Sequence, residues 1–113
     1  MEMDLYNELQ QMTQQLNASL KMLRKNGIAL AEAERDYKML LRRECLKLRD
    51  AGTAIGMINM IAYGIPEVAE ARFKRDVADA VYKANQEAIN TKKLQMRLTE
   101  GQLQREWSAN LPD

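Results

Sequence analysis

The sequence predicts an all-α fold, an antiparallel two-helix coiled-coil hairpin with a short apolar helix at its bend, assembling into a multi-helix bundle. Three observations carry this expectation. Apolar residues recur three or four apart over two long stretches; the 113 residues include only 5 Gly and 2 Pro; and one uncharged segment lies between the stretches. One domain over residues 1–113 is expected, with a first arm of about 3–51, a bend helix of about 53–63 and a second arm of about 66–107.

In the first arm the row runs Leu5, Leu9, Met12, Leu16, Leu20, Leu23, Leu30, Tyr37, Leu41, Cys45 and Leu48. That is helical spacing kept over many turns. Asp4 is the expected N-cap, Lys47 and Arg49 suit the negative end of the helix dipole, and Gly52 supplies a stop. Asn26-Gly27 can mark a turn, yet the row keeps phase through Leu23, Gly27 and Leu30. An interior Gly costs only about 1 kcal/mol relative to Ala, so a continuous but softened helix is expected.

The segment Thr53 to Gly64 is the most apolar of the chain and has no charged side chain. Thr53 is its expected N-cap and Gly64 its terminator. Ile55, Ile58, Ala62 and Ile65 fall on one face, and Met57, Met60, Ile61 and Tyr63 point elsewhere. Three uses are open to such a segment: a buried cap on the end of the helices, an exposed patch for a partner, or part of a helix-turn-helix. The last is disfavoured because Glu67 and Glu70 open the next helix and would face phosphates with the wrong charge.

In the second arm Pro66 fits the first helical position, where its missing N–H has no partner to lose, and Glu67 and Glu70 suit the positive pole. Its principal row is Ala69, Phe73, Val77, Ala80, Ala84, Ala88, Thr91, Leu94 and Leu98, expected to face the first arm. A weaker row, Tyr82, Ile89, Met96 and Leu103, repeats every seven residues. One facing helix cannot cover both rows, so self-association is expected to bury the surplus. The candidate protein-interface residues are therefore Ile55, Met57, Ile58, Met60, Ile61 and Tyr63 at the bend, with Tyr82, Ile89, Met96 and Leu103 on the second arm. Folding the arms back on each other by length alone sets Leu48 near Ala69 and Glu70, Tyr37 near Val81, and Leu23 near Leu94 or Gln95.

Composition narrows the chemistry. With 17 Lys and Arg against 16 Asp and Glu, the formal charge of +1 gives no general attraction to nucleic acid or membrane. Lone Cys45 cannot form an intramolecular disulfide; no stretch has the length of a membrane span and no signal peptide is evident, so a cytoplasmic location is expected. The chain has no His, which removes the usual general base and the commonest metal ligand, so no enzyme activity and no cofactor are expected. Carboxylates Glu32, Asp36, Asp76 and Asp79 have helical spacing but lack the His that dimetal bundles add.

Arg35, Lys38, Arg42, Arg43, Lys47 and Arg49 form a basic stripe, the basis of an alternative reading as a nucleic-acid-binding accessory protein. Against it, Glu32, Asp36 and Glu44 are placed to pair with these cations along the helix. A smaller group, Lys92, Lys93 and Arg97, is expected to meet acidic Glu2, Asp4 and Glu8, and Trp107 is expected to anchor the open end.

The run Ala33-Glu-Arg-Asp-Tyr-Lys, the Gly52 to Gly64 segment, Phe73-Lys-Arg-Asp-Val-Ala-Asp-Ala-Val-Tyr82 and Gln104-Arg-Glu-Trp107 together resemble small uncharacterised helical proteins of phages and prophages of Gram-positive bacteria. The resemblance spans most of the chain and brings no catalytic residues. It implies an intracellular, non-virion phage protein of an early or replication gene region in the bacterial host; joined to the surplus apolar surface, this makes self-association and binding of an unknown host or phage partner the expected mode of action.

Overall fold

The computed structural model describes residues 2–110. Every element in it is a helix: α1, Glu2–Asp50; α2, Ile55–Tyr63; and α3, Pro66–Ala109. No strand occurs among the described residues. By contacts the chain divides into two units, one made of Met1–Arg24 with Lys83–Asp113 and the other of Lys25–Tyr82.

α1 is unbroken over 49 residues, so Asn26-Gly27 makes no turn. It starts ahead of Asp4, which is therefore a helical residue and not the cap. Its C-terminus closes on the expected glycine. Gly52 has φ +87, its N–H donates to the Arg49 carbonyl, and the Thr53 N–H reaches back to the Leu48 carbonyl, both at 3.0 Å. That pair of bonds is a Schellman motif, and it satisfies two carbonyls the helix leaves over.

Thr53 does not cap α2. Its N–H is committed to α1, and α2 begins two residues later than expected, with Ala54 at the cap position and no side-chain hydrogen bond there. Gly64 ends α2 with an ordinary right-handed backbone, φ −86 and ψ −5, which any residue adopts. The stop owes more to the next residues: Ile65 N–H bonds to Ala62, and Pro66 has no N–H with which to prolong the helix.

In the Lys25–Tyr82 unit, Tyr37 is 6% exposed, and Ala62 and Val68 are fully buried. The Arg75 guanidinium lies 4.5 Å from the Tyr37 ring centroid, and Arg72 lies 5.6 Å from that of Tyr63. The Cys45 thiol donates to Asn59 Oδ1 at 3.8 Å. Tyr37 therefore meets Arg75, which lies six residues nearer the start of α3 than Val81, the neighbour that length alone suggested. The physical reason is α2, whose Asn59 sits beside Cys45, so that the last turns of α1 are matched by α2 instead of α3.

In the other unit, Ile89 is 4% and Thr99 8% exposed. Three hydrogen bonds tie α3 to α1: Asn85 Nδ2 to the Ser19 carbonyl at 3.2 Å, Lys92 Nζ to Gln15 Oε1, and the Thr99 hydroxyl to Met12 Sδ at 3.7 Å. Leu23 shares a surface groove with Lys83, Gln86 and Asn90, so its neighbours on α3 also lie earlier than Leu94. Lys92 bonds to Gln15. Among the described residues no ion pair joins Lys92, Lys93 or Arg97 to Asp4 or Glu8.

The α1 row is half-buried or buried at each expected position except Leu20, which is 42% exposed.

Candidate interaction surface

The two rows of α3 take the opposite roles to those expected. Tyr82, Met96 and Leu103 are half-buried and Ile89 is buried, so the row assigned to an outer interface is the one turned inward. Phe73, Val77, Leu94 and Leu98 are exposed by 62%, 45%, 55% and 65%, and Ala80, Ala84, Ala88 and Thr91 are exposed as well. The rows stand two residues apart in sequence, about 200° around a helix, so one facing helix covers only one of them.

Local fit explains the choice. A Cβ built on Gly27 would lie 3.3 Å from Tyr82 Cε2, so the missing side chain of Gly27 is what admits the tyrosine ring. Beside it, the inner row carries the polar groups that α1 satisfies, Asn85, Lys92 and Thr99. The outward row offers Ala80 and Ala84 at the corresponding level, which cannot answer the Ser19 carbonyl or fill the Gly27 notch. Hydrophobicity ranked the rows wrongly because inward-facing polar residues here are satisfied, and a satisfied polar group is tolerated in an interior.

At the bend, Ile55 is 88% exposed, and Met57, Met60, Ile61 and Tyr63 are 40% exposed or more. Ile58 is half-buried and Ala62 buried, so these two form the packed face of α2, continued past its end by half-buried Ile65 and without Ile55. Adaptable Met side chains beside exposed Ile and Tyr form the kind of surface that protein partners cover. In the unit holding the chain's ends, Met3, Tyr6, Leu103 and Trp107 line an open groove of about 560 Å³. Trp107 is 61% exposed and lines that groove, so it does not anchor the end by burial.

The basic stripe is largely paired within its own helix. Arg35 bonds to Asp36 at 3.1 Å, Lys38 to Glu34 at 3.4 Å, and Lys47 and Arg43 share Glu44 at 3.3 and 3.8 Å. Asp36 thus pairs with its neighbour, and Glu34 takes the place expected for Glu32. Most of these side chains are well exposed, so each pair contributes little to stability while lowering the field of the stripe. Among the described residues no ion pair is formed by Arg42 or Arg49.

The carboxylates considered for a metal are divided between two surface grooves. Glu32 and Asp36 line one of about 670 Å³ with Glu67, Glu70 and Lys74, and Asp76 and Asp79 line one of about 250 Å³ with Glu34 and Arg75. Among the described residues no group of three or more acidic or thiol side chains is disposed to hold a metal ion. Asp76 instead accepts from Arg75 at 2.8 Å, and that hydrogen bond holds the Arg75 guanidinium above its already high range. No described helix is long and apolar enough to cross a membrane.

Compared with known proteins, the chain matches no family model, no curated protein and no solved structure.

Proposed function

We propose that this chain is a non-enzymatic helical interaction or adaptor protein, an antiparallel hairpin that self-associates and binds a protein partner through its exposed apolar rows. One observation carries the reading. α3 leaves outside a row running from Phe73 to Leu98, while the row it turns inward includes Asn85, Lys92 and Thr99. The hairpin is supported by the order of the bonds in the unit of the chain's ends, where Ser19, Gln15 and Met12 meet Asn85, Lys92 and Thr99 in turn.

The exposure of Phe73, Val77, Leu94 and Leu98 along α3 supports self-association, because contiguous exposed apolar rows are surfaces that partners cover. The resemblance to phage and prophage proteins supports a setting in the cytoplasm of a bacterial host, and the lack of His supports the non-enzymatic reading.

Light scattering at several concentrations tests it, with a mass above 13.0 kDa expected. Replacing exposed Ile55 and Met60 with Asp tests the bend as a partner surface. A 13.0 kDa species at every concentration, with these substitutions leaving all binding unchanged, would refute the proposal. The alternative, nucleic-acid binding through the basic stripe, is weakened by the pairing of Arg35, Lys38, Arg43 and Lys47. It predicts binding to DNA or RNA at low salt that fades as salt rises.

A further inference from the structure

The exposed row of α3 is a heptad seam. From Phe73 it steps by four and three to Val77, Ala80, Ala84, Glu87, Thr91, Leu94 and Leu98, and every position is exposed. Steps of that kind keep a helix face turned toward a parallel or antiparallel neighbour. All of it lies on the single helix α3.

We propose that a second copy of this chain covers the seam, its α3 packed antiparallel about a two-fold axis passing between Asn85 and Gln86. The proposal rests on the self-association reading and names its surface and geometry. In that register Phe73 faces Leu98 of the second copy, Val77 faces Leu94, Ala80 faces Thr91, and Ala84 faces Glu87. Small residues then fall at the centre, where the two helices can approach most closely, and larger ones fill the seam toward its ends.

Charge decides the direction. The antiparallel register brings Asp76 beside Arg97 of the second copy, twice by symmetry, and Lys83 beside Glu87; all four side chains are exposed on the flanks or floor of the seam. Glu87, the one charge on the seam, then lies across from the small Ala84. A parallel in-register pair would instead set Glu87 against Glu87, and would place Asp76 by Val81 and Lys83 by Ala88. Like charges opposed in an interface are repulsive, whereas the antiparallel pair is self-complementary, as a two-fold interface must be.

Disulfide trapping in a Cys45→Ser background tests this, because neither exposed Val77 nor Leu94 is needed for the fold of one chain. Val77→Cys and Leu94→Cys proteins, mixed under mild oxidation, are expected to link to each other, and neither is expected to link to itself. In the antiparallel register each cysteine lies about 25 Å along the helix from its own counterpart, beyond any disulfide. Self-linking of each single variant would show a parallel seam and overturn the proposal. No linking while the unmodified chain still has a multiple mass would also overturn it, leaving the broader self-association reading intact; a monomer at all concentrations would sink both.

A charge exchange gives a second readout. Asp76→Lys alone is expected to weaken dimerisation about tenfold, and adding Arg97→Asp to restore it, since two symmetry-related exposed pairs change sign together. Because Asp76 also pairs with Arg75 in its own chain, rescue by the change at Arg97 separates the intermolecular effect from the local one. Failure of the double variant to recover would overturn the register.

Discussion

Gly27 is the position at which helix propensity and packing oppose each other most directly, and Gly27→Ala measures the balance. In a helix interior the change gains about 1 kcal/mol from reduced backbone entropy. Against that, the new methyl would sit 3.3 Å from Tyr82 Cε2 and 3.9 Å from Cδ2. Carbon contacts are comfortable at roughly 3.5–4.0 Å, so the half-buried ring must move by a few tenths of an ångström, at a cost near the lower end of overpacking penalties, about 1 kcal/mol. The two effects cancel, and Gly27→Ala is expected to leave stability nearly unchanged. In a Tyr82→Ala background the obstacle is gone and the same substitution is expected to stabilise by about 1 kcal/mol, a coupling of about 1 kcal/mol between the sites. Urea unfolding followed by far-ultraviolet circular dichroism at one fixed protomer concentration measures all four proteins, the fixed concentration being needed because association would shift the midpoint. Equal stabilisation by Gly27→Ala in both backgrounds would refute the claim that this glycine exists to admit the ring.

Other outcomes follow from the same geometry. Gly52→Ala is expected to cost about 1–2 kcal/mol in thermal or urea unfolding, because φ +87 strains an L-residue and no neighbouring atom lies within 4 Å to add a packing effect. Glu106→Met is expected to stabilise by about 1 kcal/mol, since Glu106 Oε2 is buried without a hydrogen-bond partner among the described residues; loss of stability on this change would show that the carboxylate has a partner. Arg42→Glu with Arg43→Glu is expected to leave unfolding within about 0.5 kcal/mol, as exposed pairs are weak, and to leave low-salt gel mobility of DNA and RNA unchanged. A lost shift in those gels would favour the nucleic-acid reading instead.

The helices are legible in the amino-acid order because the signals for them are local. Spacing of three and four residues, a glycine free to take positive φ at Gly52, and a proline without an N–H at Pro66 act within a turn or two of their own position, and α1, α2 and α3 lie within a few residues of where those signals put them. The amino-acid order also marked the inner face of α1, whose one apolar row left little choice. The candidate surface was only half legible: the exposed bend residues were named, but Tyr82, Ile89, Met96 and Leu103 turn inward and the row from Phe73 to Leu98 turns out. Tertiary structure decided that, and with it the pairing of Tyr37 with Arg75. Both choices depend on matches between residues far apart in the chain: a tyrosine ring over an absent side chain, amide and hydroxyl donors meeting their acceptors, and α2 taking up the last turns of α1. Periodicity shows that a helix has two faces; only a partner's shape and hydrogen-bonding groups select between them.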